Sequence, residues 1–227
     1  MCERIIKKQW IEFLEDNKLI SNSQFGFRKR RSCVTNLLNF YSRIVDRVQE
    51  REGWVDCIYL DLKKASDKVP LARLLWKLEK GGLKGNTLRW IENYLKGREI
   101  KTVVKDMKSK WRAVESGVPQ GSILAPILFL IHINDMPGVN SYIILFADDT
   151  KLCRVIKQKE DCEILQEDLN KIWEWSKKWE MEFNVNKSHV IEMGIYKMGD
   201  GIELEKVKKG KGLRSDNGRK QSTSKPY

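Results

Sequence analysis

The sequence predicts an α+β fold in which an antiparallel sheet is backed by helices. Strand-like apolar runs occur among longer segments with helical periodicity, and the two kinds of segment do not alternate strictly along the chain. The 227 residues include 41% hydrophobic side chains, enough to bury a sizeable core. The sequence contains no internal repeat.

The first half of the chain is predicted to hold three helices and one strand. Apolar residues at helical spacing indicate helices over residues 35–52, 71–78 and 88–95. The first of these is amphipathic, with an apolar face that includes Leu37, Leu38, Tyr41 and Ile44. The run WVDCIYLDL, residues 54–62, predicts a strand with Asp61 near its end.

The second half begins with a predicted hairpin, whose strands are residues 100–104 and 111–114. The loop SGVPQGS, residues 116–122, opens into an apolar helix. The remaining predicted elements are that helix at 123–135, strands from 142 and over 151–155, a long helix at 160–181 and a last short strand at 189–193. We expect one domain over residues 1–200 and a basic tail over 201–227, disordered where apolar residues run out beyond Val207.

Charge and cysteine content narrow the class of protein. A net charge of +12 suits a polyanionic partner, although a solvated basic surface is the plain alternative. Five scattered cysteines without a CxxC pair indicate neither a disulfide framework nor a zinc site, which predicts a reduced, intracellular protein, nuclear or cytoplasmic. No membrane partner is expected, because the apolar run 123–133 is far shorter than the roughly 20 residues of a membrane span.

Three aspartates follow strand-like segments. Asp61 ends one predicted strand, and Asp148 and Asp149 end another. If the strands are neighbours, the carboxylates converge at one edge of the sheet, where oxygen donors select Mg²⁺ or Mn²⁺. Two ions roughly 4 Å apart would suit phosphoryl transfer. The alternatives are a solvated turn for the aspartate pair and a helix N-cap for Asp61.

The SGVPQGS loop adds a second candidate feature. A glycine-bearing loop before a helix offers backbone N–H groups and allows close approach to a phosphate or a sugar. An ordinary turn with Pro119 at its corner is the alternative.

Taken together and in this order, the segments resemble the reverse transcriptases of non-LTR retrotransposons of the jockey and CR1 type. The resemblance covers about residues 1–200. The matching stretches are QFGFRKRRSCVTNLL, YLDLKKASDKVP, WIENYLKGR, SGVPQGSILAPILFLIHINDMP, LFADDTKL and WEMEFNVNKSHVIEMG. The family implies a right-hand polymerase palm with partial fingers, which extends a DNA primer on an RNA template with deoxynucleotides (dNTPs).

The resemblance also implies roles for single residues. Asp61, Asp148 and Asp149 match the aspartates that hold two catalytic metals, here expected to be Mg²⁺ with Mn²⁺ as a substitute. Gln120 and Gly121 match residues that border the incoming nucleotide and the template. Lys187 matches a candidate general acid for pyrophosphate, or is a plain surface lysine, and Arg28 contacts nucleotide phosphates or positions the backbone.

Two departures from the family bear on activity. Ser66 stands where the family has Phe or Tyr, whose ring lies beneath the sugar, so discrimination against ribonucleotides should weaken. The resemblance fades near residue 200, so we expect the thumb domain that family members carry after the palm to be missing. The alternative to an active polymerase is therefore a non-catalytic retroelement remnant that at most binds nucleic acid; a nuclease or phosphatase on another fold is what the carboxylates alone would allow. The oligomeric state is left open.

Overall fold

The computed structural model describes residues 2–50, 54–136, 138–191, 196–199 and 201–207. These hold six helices: α1 (Cys2–Asp16), α2 (Cys33–Glu50), α3 (Leu71–Lys80), α4 (Gly85–Leu95), α5 (Ala125–Ile133) and α6 (Lys159–Trp179). The strands are β1 (Trp54–Leu60), β2 (Glu99–Ile100), β3 (Val103–Val104), β4 (Met107–Lys108), β5 (Arg112–Ala113), β6 (Tyr142–Phe146), β7 (Asp149–Ile156), β8 (His189–Ile191), β9 (Lys197–Met198), β10 (Ile202–Glu203) and β11 (Glu205–Val207).

Five strands form the main sheet, in the order β11-β8-β1-β7-β6. The pairs β8–β1, β1–β7 and β7–β6 are antiparallel, and only the edge pair β11–β8 is parallel. The remaining strands form three two-stranded pairs, β2–β5, β3–β4 and β9–β10. The predicted antiparallel sheet is therefore confirmed. The predicted hairpin is present, but it consists of two short ladders, and residues 103–104 pair with residues 107–108 instead of with the predicted strand 111–114.

The two faces of the sheet bury different clusters. Ile58 and Leu60 of β1 point to one face, where they join the main core with side chains from α3, α5 and α6. Cys57, one residue earlier, points to the other face, into a smaller cluster with Phe40 of α2 and Ile144 of β6. This alternation is the period of two that an antiparallel strand imposes.

Helix α2 does not bury the apolar face that its sequence predicts. Leu37, Leu38 and Tyr41 are exposed, whereas Asn36 and Phe40 are buried against the sheet. The face turned to the sheet carries Asn36, Phe40 and Ile44 at a spacing of four residues: the Asn36 amide donates to the Leu145 carbonyl oxygen at 3.3 Å, and Phe40 and Ile44 join the smaller cluster.

The other long elements agree with the sequence to within a few residues. Helix α6 buries Leu165, Leu169 and Ile172 as predicted, together with Trp179. Helix α1 was not among the predicted elements, although Ile6, Trp10 and Leu14 have helical spacing and pack into the main core. None of the helices in the described part of the chain has the length and apolar character that crossing a membrane requires. Strands β10 and β11 lie beyond residue 200, residues 208–227 lie outside the described ranges, and the domain boundary stays a prediction.

Candidate active site at the carboxylate edge

A two-residue turn presents the aspartate pair. Strands β6 and β7 pair up to Phe146 opposite Asp149, so Ala147 and Asp148 alone connect them. Ala147 has φ +54°, a left-handed conformation that is uncommon for a residue with a Cβ but typical of tight hairpin turns. The turn places both carboxylates at the end of the sheet.

The register between β1 and β7 brings Asp61 to the same end. Leu60 lies opposite Thr150, so continuing the ladder by one residue sets Asp61 opposite Asp149. Residues directly opposite in an antiparallel pair have Cα atoms about 5 Å apart. The predicted convergence of the three aspartates at one sheet edge therefore follows from strand pairing between segments almost ninety positions apart.

The turn before β8 supplies a cation to this edge. Asp61 is tied to it by its carbonyl oxygen, which accepts from the Asn184 N–H at 2.7 Å. Lys187 on the same turn places its Nζ 3.6 Å from Asp61 Oδ2, with 69% of its side chain exposed. The lysine is thus close to the carboxylates and still free to reach a negatively charged ligand.

Electrostatic repulsion marks the aspartate pair. Burial raises the pKa of Asp148, and the Asp61 carboxylate raises it further, against opposing contributions from a backbone hydrogen bond and Lys187. Burial also raises the pKa of Asp149, and so do the charges of Asp148 and Asp61, although Lys151 and Lys187 partly offset them. The Asp61 charge therefore raises the pKa of both members of the pair, and a bound cation would offset this repulsion.

The three side chains fit a divalent cation in their chemistry. Carboxylate oxygens are the donors that Mg²⁺ and Mn²⁺ prefer. Within the described residues, however, no three carboxylate, thiol or imidazole groups stand close enough together to form a ready metal site. The residues that could hold a cation are Asp61, Asp148 and Asp149.

A buried glutamine that the sequence analysis did not assign holds the turn in place. Gln24 Oε1 accepts hydrogen bonds from the backbone N–H of Gly26 at 2.7 Å and of Ala147 at 2.9 Å. A Cβ on Gly26 would overlap the Ala147 backbone nitrogen, so only glycine allows this approach. The segment QFG therefore clamps the residue that precedes Asp148, and the clamp is completed by Asn36 at Leu145.

The loop SGVPQGS, residues 116–122 and hereafter the PQG loop, packs directly on the segment that follows Asp61. The Val118 N–H donates to the Ser66 carbonyl oxygen at 2.8 Å, and Gln120 Nε2 donates to Asp67 Oδ1 at 2.8 Å. Gly117 has φ +88°, and a Cβ there would lie 2.6 Å from the Asp67 carbonyl oxygen. Gly121, at φ +81°, faces open space. Ser66, Gln120 and Gly121 thus belong to one local assembly, as the sequence suggests.

Arg28 is bound elsewhere in this structure. Its Nε donates to Glu15 Oε1 at 2.8 Å, its Nη1 donates to the Ser21 carbonyl oxygen at 2.8 Å, and only 8% of its side chain is exposed. These contacts join α1 to the loop that carries Gln24. They match the backbone-positioning alternative for Arg28, and a phosphate contact stays a prediction.

Comparison with known proteins decides the family. A family model described as reverse transcriptase (RNA-dependent DNA polymerase) matches residues 1–217. The chain belongs to the reverse transcriptase family. The resemblance inferred from the six sequence segments is thereby confirmed.

Relatives of this reverse transcriptase chain come from mobile elements. An RNA-directed DNA polymerase from mobile element jockey of Drosophila funebris is 30% identical over 200 residues, which is 82% of this chain and 21% of the relative. A probable RNA-directed DNA polymerase from transposon BS of Drosophila melanogaster is 26% identical over 198 residues, 83% of this chain and 22% of the relative. The chain thus spans about a fifth of the length of these relatives.

A solved structure confirms the fold of this reverse transcriptase. Apo telomerase from Candida tropicalis, truncated from its C-terminal domain, superposes with a TM-score of 0.57 at 12% identity, over 85% of this chain and 40% of that one. At this identity the likeness concerns the fold alone. The chain has the predicted palm with partial fingers, and the carboxylate edge lies at the end of its antiparallel sheet.

Proposed function

We propose that this chain is the catalytic palm of a retroelement enzyme that copies RNA into DNA. The observation that carries the proposal is the register of Leu60 with Thr150, which brings Asp61 to the turn that holds Asp148 and Asp149. The substrates are an RNA template, a DNA primer and dNTPs, and the cofactor is Mg²⁺, with Mn²⁺ as a substitute. Bound there, divalent cations would lower the pKa of the primer 3′-hydroxyl and stabilise the leaving pyrophosphate.

The chain's own residues position the reactants in this scheme. The PQG loop borders the nucleotide through Gln120 and Gly121, where the open space above Gly121 admits a ligand. Lys187, next to Asp61 and exposed, donates a proton to the departing pyrophosphate. The basic charge of the chain holds the phosphate backbones.

Primer extension tests the proposal. Purified chain with Mg²⁺, dNTPs and a primed RNA template should yield extended primer, and Asp148→Asn should abolish the product. Asp16→Asn, the same chemical change at an exposed position at the end of α1, is the matched control and should retain activity. No extension by the wild-type chain, with RNA still bound in a filter assay, would support the non-catalytic remnant instead.

Ser66 sets the sugar preference in this proposal. Its backbone is fixed to Val118, so its half-buried side chain lies beside the nucleotide loop, where an aromatic ring would fill the space under a ribose. We expect the wild-type chain to incorporate ribonucleotides readily. Ser66→Phe should raise the preference for dNTPs by about tenfold or more, and Ser66→Ala should not. A strong dNTP preference of the wild-type chain in single-nucleotide incorporation would refute this role for Ser66.

A further inference from the structure

A basic two-stranded arm projects next to the candidate active site. We define the basic arm as residues 99–113, which contain the pairs β2–β5 and β3–β4. Every strand residue of the arm is exposed, and five lysine or arginine residues stand against two acidic residues. Among the residues that the structure describes, no carboxylate forms an ion pair with these five basic side chains, which are Lys101, Lys105, Lys108, Lys110 and Arg112.

The arm also exposes large apolar side chains that a hairpin this thin cannot bury. Val104, Met107 and Trp111 are exposed by 63%, 79% and 58%. Lys101 places its Nζ 4.4 Å from the centre of the Trp111 ring, which holds the indole beside a positive charge. An aromatic face next to lysines is the combination that binds unpaired bases together with their phosphates.

Hydrogen bonds anchor the arm to the PQG loop. Arg98, just before β2, donates from Nε to the Leu95 carbonyl oxygen at 2.8 Å and from Nη2 to the Gly117 carbonyl oxygen at 2.6 Å. Across the base of the arm, the Val114 N–H donates to the Arg98 carbonyl oxygen at 2.8 Å. A groove of about 830 Å³ lies between the base of the arm and the loop, lined by Asp67, residues 98–100 and residues 113–120. A nucleic-acid strand that lies in this groove would run from the base of the arm to the PQG loop.

We propose that the basic arm binds single-stranded nucleic acid beside the active site, with Trp111 stacking on a base and its lysines contacting the phosphates. The proposal rests on the proposed function, because the strand is the template or primer of that reaction. A duplex is disfavoured as the occupant, since stacking on Trp111 requires a base that is not already stacked in a helix. A protein partner is disfavoured because the arm has a net charge of +3 over fifteen residues, which suits the regularly spaced phosphates of a nucleic acid.

Binding measurements on the full chain test the arm without catalysis. Fluorescence anisotropy with a labelled single-stranded RNA, in the absence of dNTPs and Mg²⁺, should show that Trp111→Ala raises Kd by about fivefold or more. Replacing both Lys108 and Lys110 with alanine should lower the slope of log K against log salt by about 1.4. The matched control pair is Lys157→Ala with Lys159→Ala, exposed at the far end of β7, which should leave the slope unchanged.

The outcomes separate the arm from the catalytic proposal. Asp148→Asn should bind the RNA like the wild type while losing primer extension, so failure of one activity does not imply failure of the other. Equal slopes for the arm pair and the control pair, or an unchanged Kd for Trp111→Ala, would overturn the proposal. Tighter binding to a blunt RNA–DNA duplex than to the single strand, or self-association that Trp111→Ala abolishes without changing RNA affinity, would overturn it as well.

Discussion

Two aspartates of this protein have opposite surroundings. One belongs to the carboxylate edge, the end of the sheet that carries Asp61, Asp148 and Asp149, and the other is Asp168 of α6, which bonds the loop before β6. Burial raises the pKa of Asp168 on α6, but hydrogen bonds from Ser141, Lys171 and the backbone of Asn140 bring it below its usual value. Burial raises the pKa of Asp148 too, and there the neighbouring Asp61 carboxylate adds to the increase. Asp168 is buried and bonded by the protein, whereas the half-buried Asp148 lies near a like charge.

The difference separates scaffold from active site. A bonded carboxylate such as Asp168 stabilises the fold by satisfying backbone donors of the loop before β6. The repelled carboxylates of the edge cost stability unless something positive binds between them. Hydrogen bonds to Asp168 and Gln24 therefore stabilise the two ends of β6, and this helps to hold the aspartates of the carboxylate edge in an arrangement that is unfavourable on its own.

Replacing Asp168 should change the free energy of unfolding more than any other substitution considered below. Asp168→Ala leaves the N–H groups of Asn140 and Ser141 without their acceptor inside the protein, so the free energy of unfolding should fall by about 3–5 kcal/mol. Urea denaturation followed by circular dichroism measures this change. Asp168→Asn keeps one acceptor oxygen and should lose less, whereas equal losses for both variants would contradict the role assigned to these hydrogen bonds.

The Gln24 clamp should give the next largest effect. Gln24→Ala removes the acceptor for the N–H groups of Gly26 and Ala147, at an expected cost of about 2–3 kcal/mol. Because the clamp fixes the turn before Asp148, the maximal rate of primer extension should also fall, with little change in affinity for RNA. Gln9→Ala, at an exposed position on α1, is the control. A destabilised variant with an unchanged maximal rate would show that the clamp supports the fold alone.

The carboxylate edge itself should respond to pH with the opposite sign from Asp168. Because the pKa of Asp148 is raised in the folded state, its ionisation costs stability fully at neutral pH, and the cost disappears as pH falls through that raised pKa. Asp148→Asn should therefore stabilise the metal-free chain at neutral pH by on the order of 0.5 kcal/mol and have no stabilising effect in acid. Thermal melts at several pH values test this, and destabilisation at neutral pH would contradict it.

Local patterns in the sequence predicted most of the fold and the position of the three aspartates at one end of the sheet. Period-two and helical spacings indicate β1, β7, α3 and α6, and strand ends indicate where Asp61, Asp148 and Asp149 meet. The family resemblance adds the PQG loop and Lys187, whose catalytic roles stay predictions.

What the sequence did not predict depends on contacts between distant segments. Gln24 bonds to Ala147 across more than a hundred residues, and neither residue type signals a clamp. The need for glycine at 117 arises from its positive φ and from the close approach of the Asp67 backbone, and neither can be seen in the sequence around it. The exposure of Leu37 and Leu38 is of the same kind, because the apolar periodicity of α2 does not show which of its faces lies on the sheet, where Asn36 and Phe40 are buried.

Binding of Mn²⁺ measures the central claim most directly, because the free ion has an electron paramagnetic resonance signal that disappears on binding. We predict that the wild-type chain takes up Mn²⁺ and that Asp61→Asn and Asp148→Asn each weaken this binding by at least about tenfold. Asp16→Asn should bind as the wild type does. Wild-type affinity in Asp61→Asn would contradict the account, since the edge would then not act as one cation site.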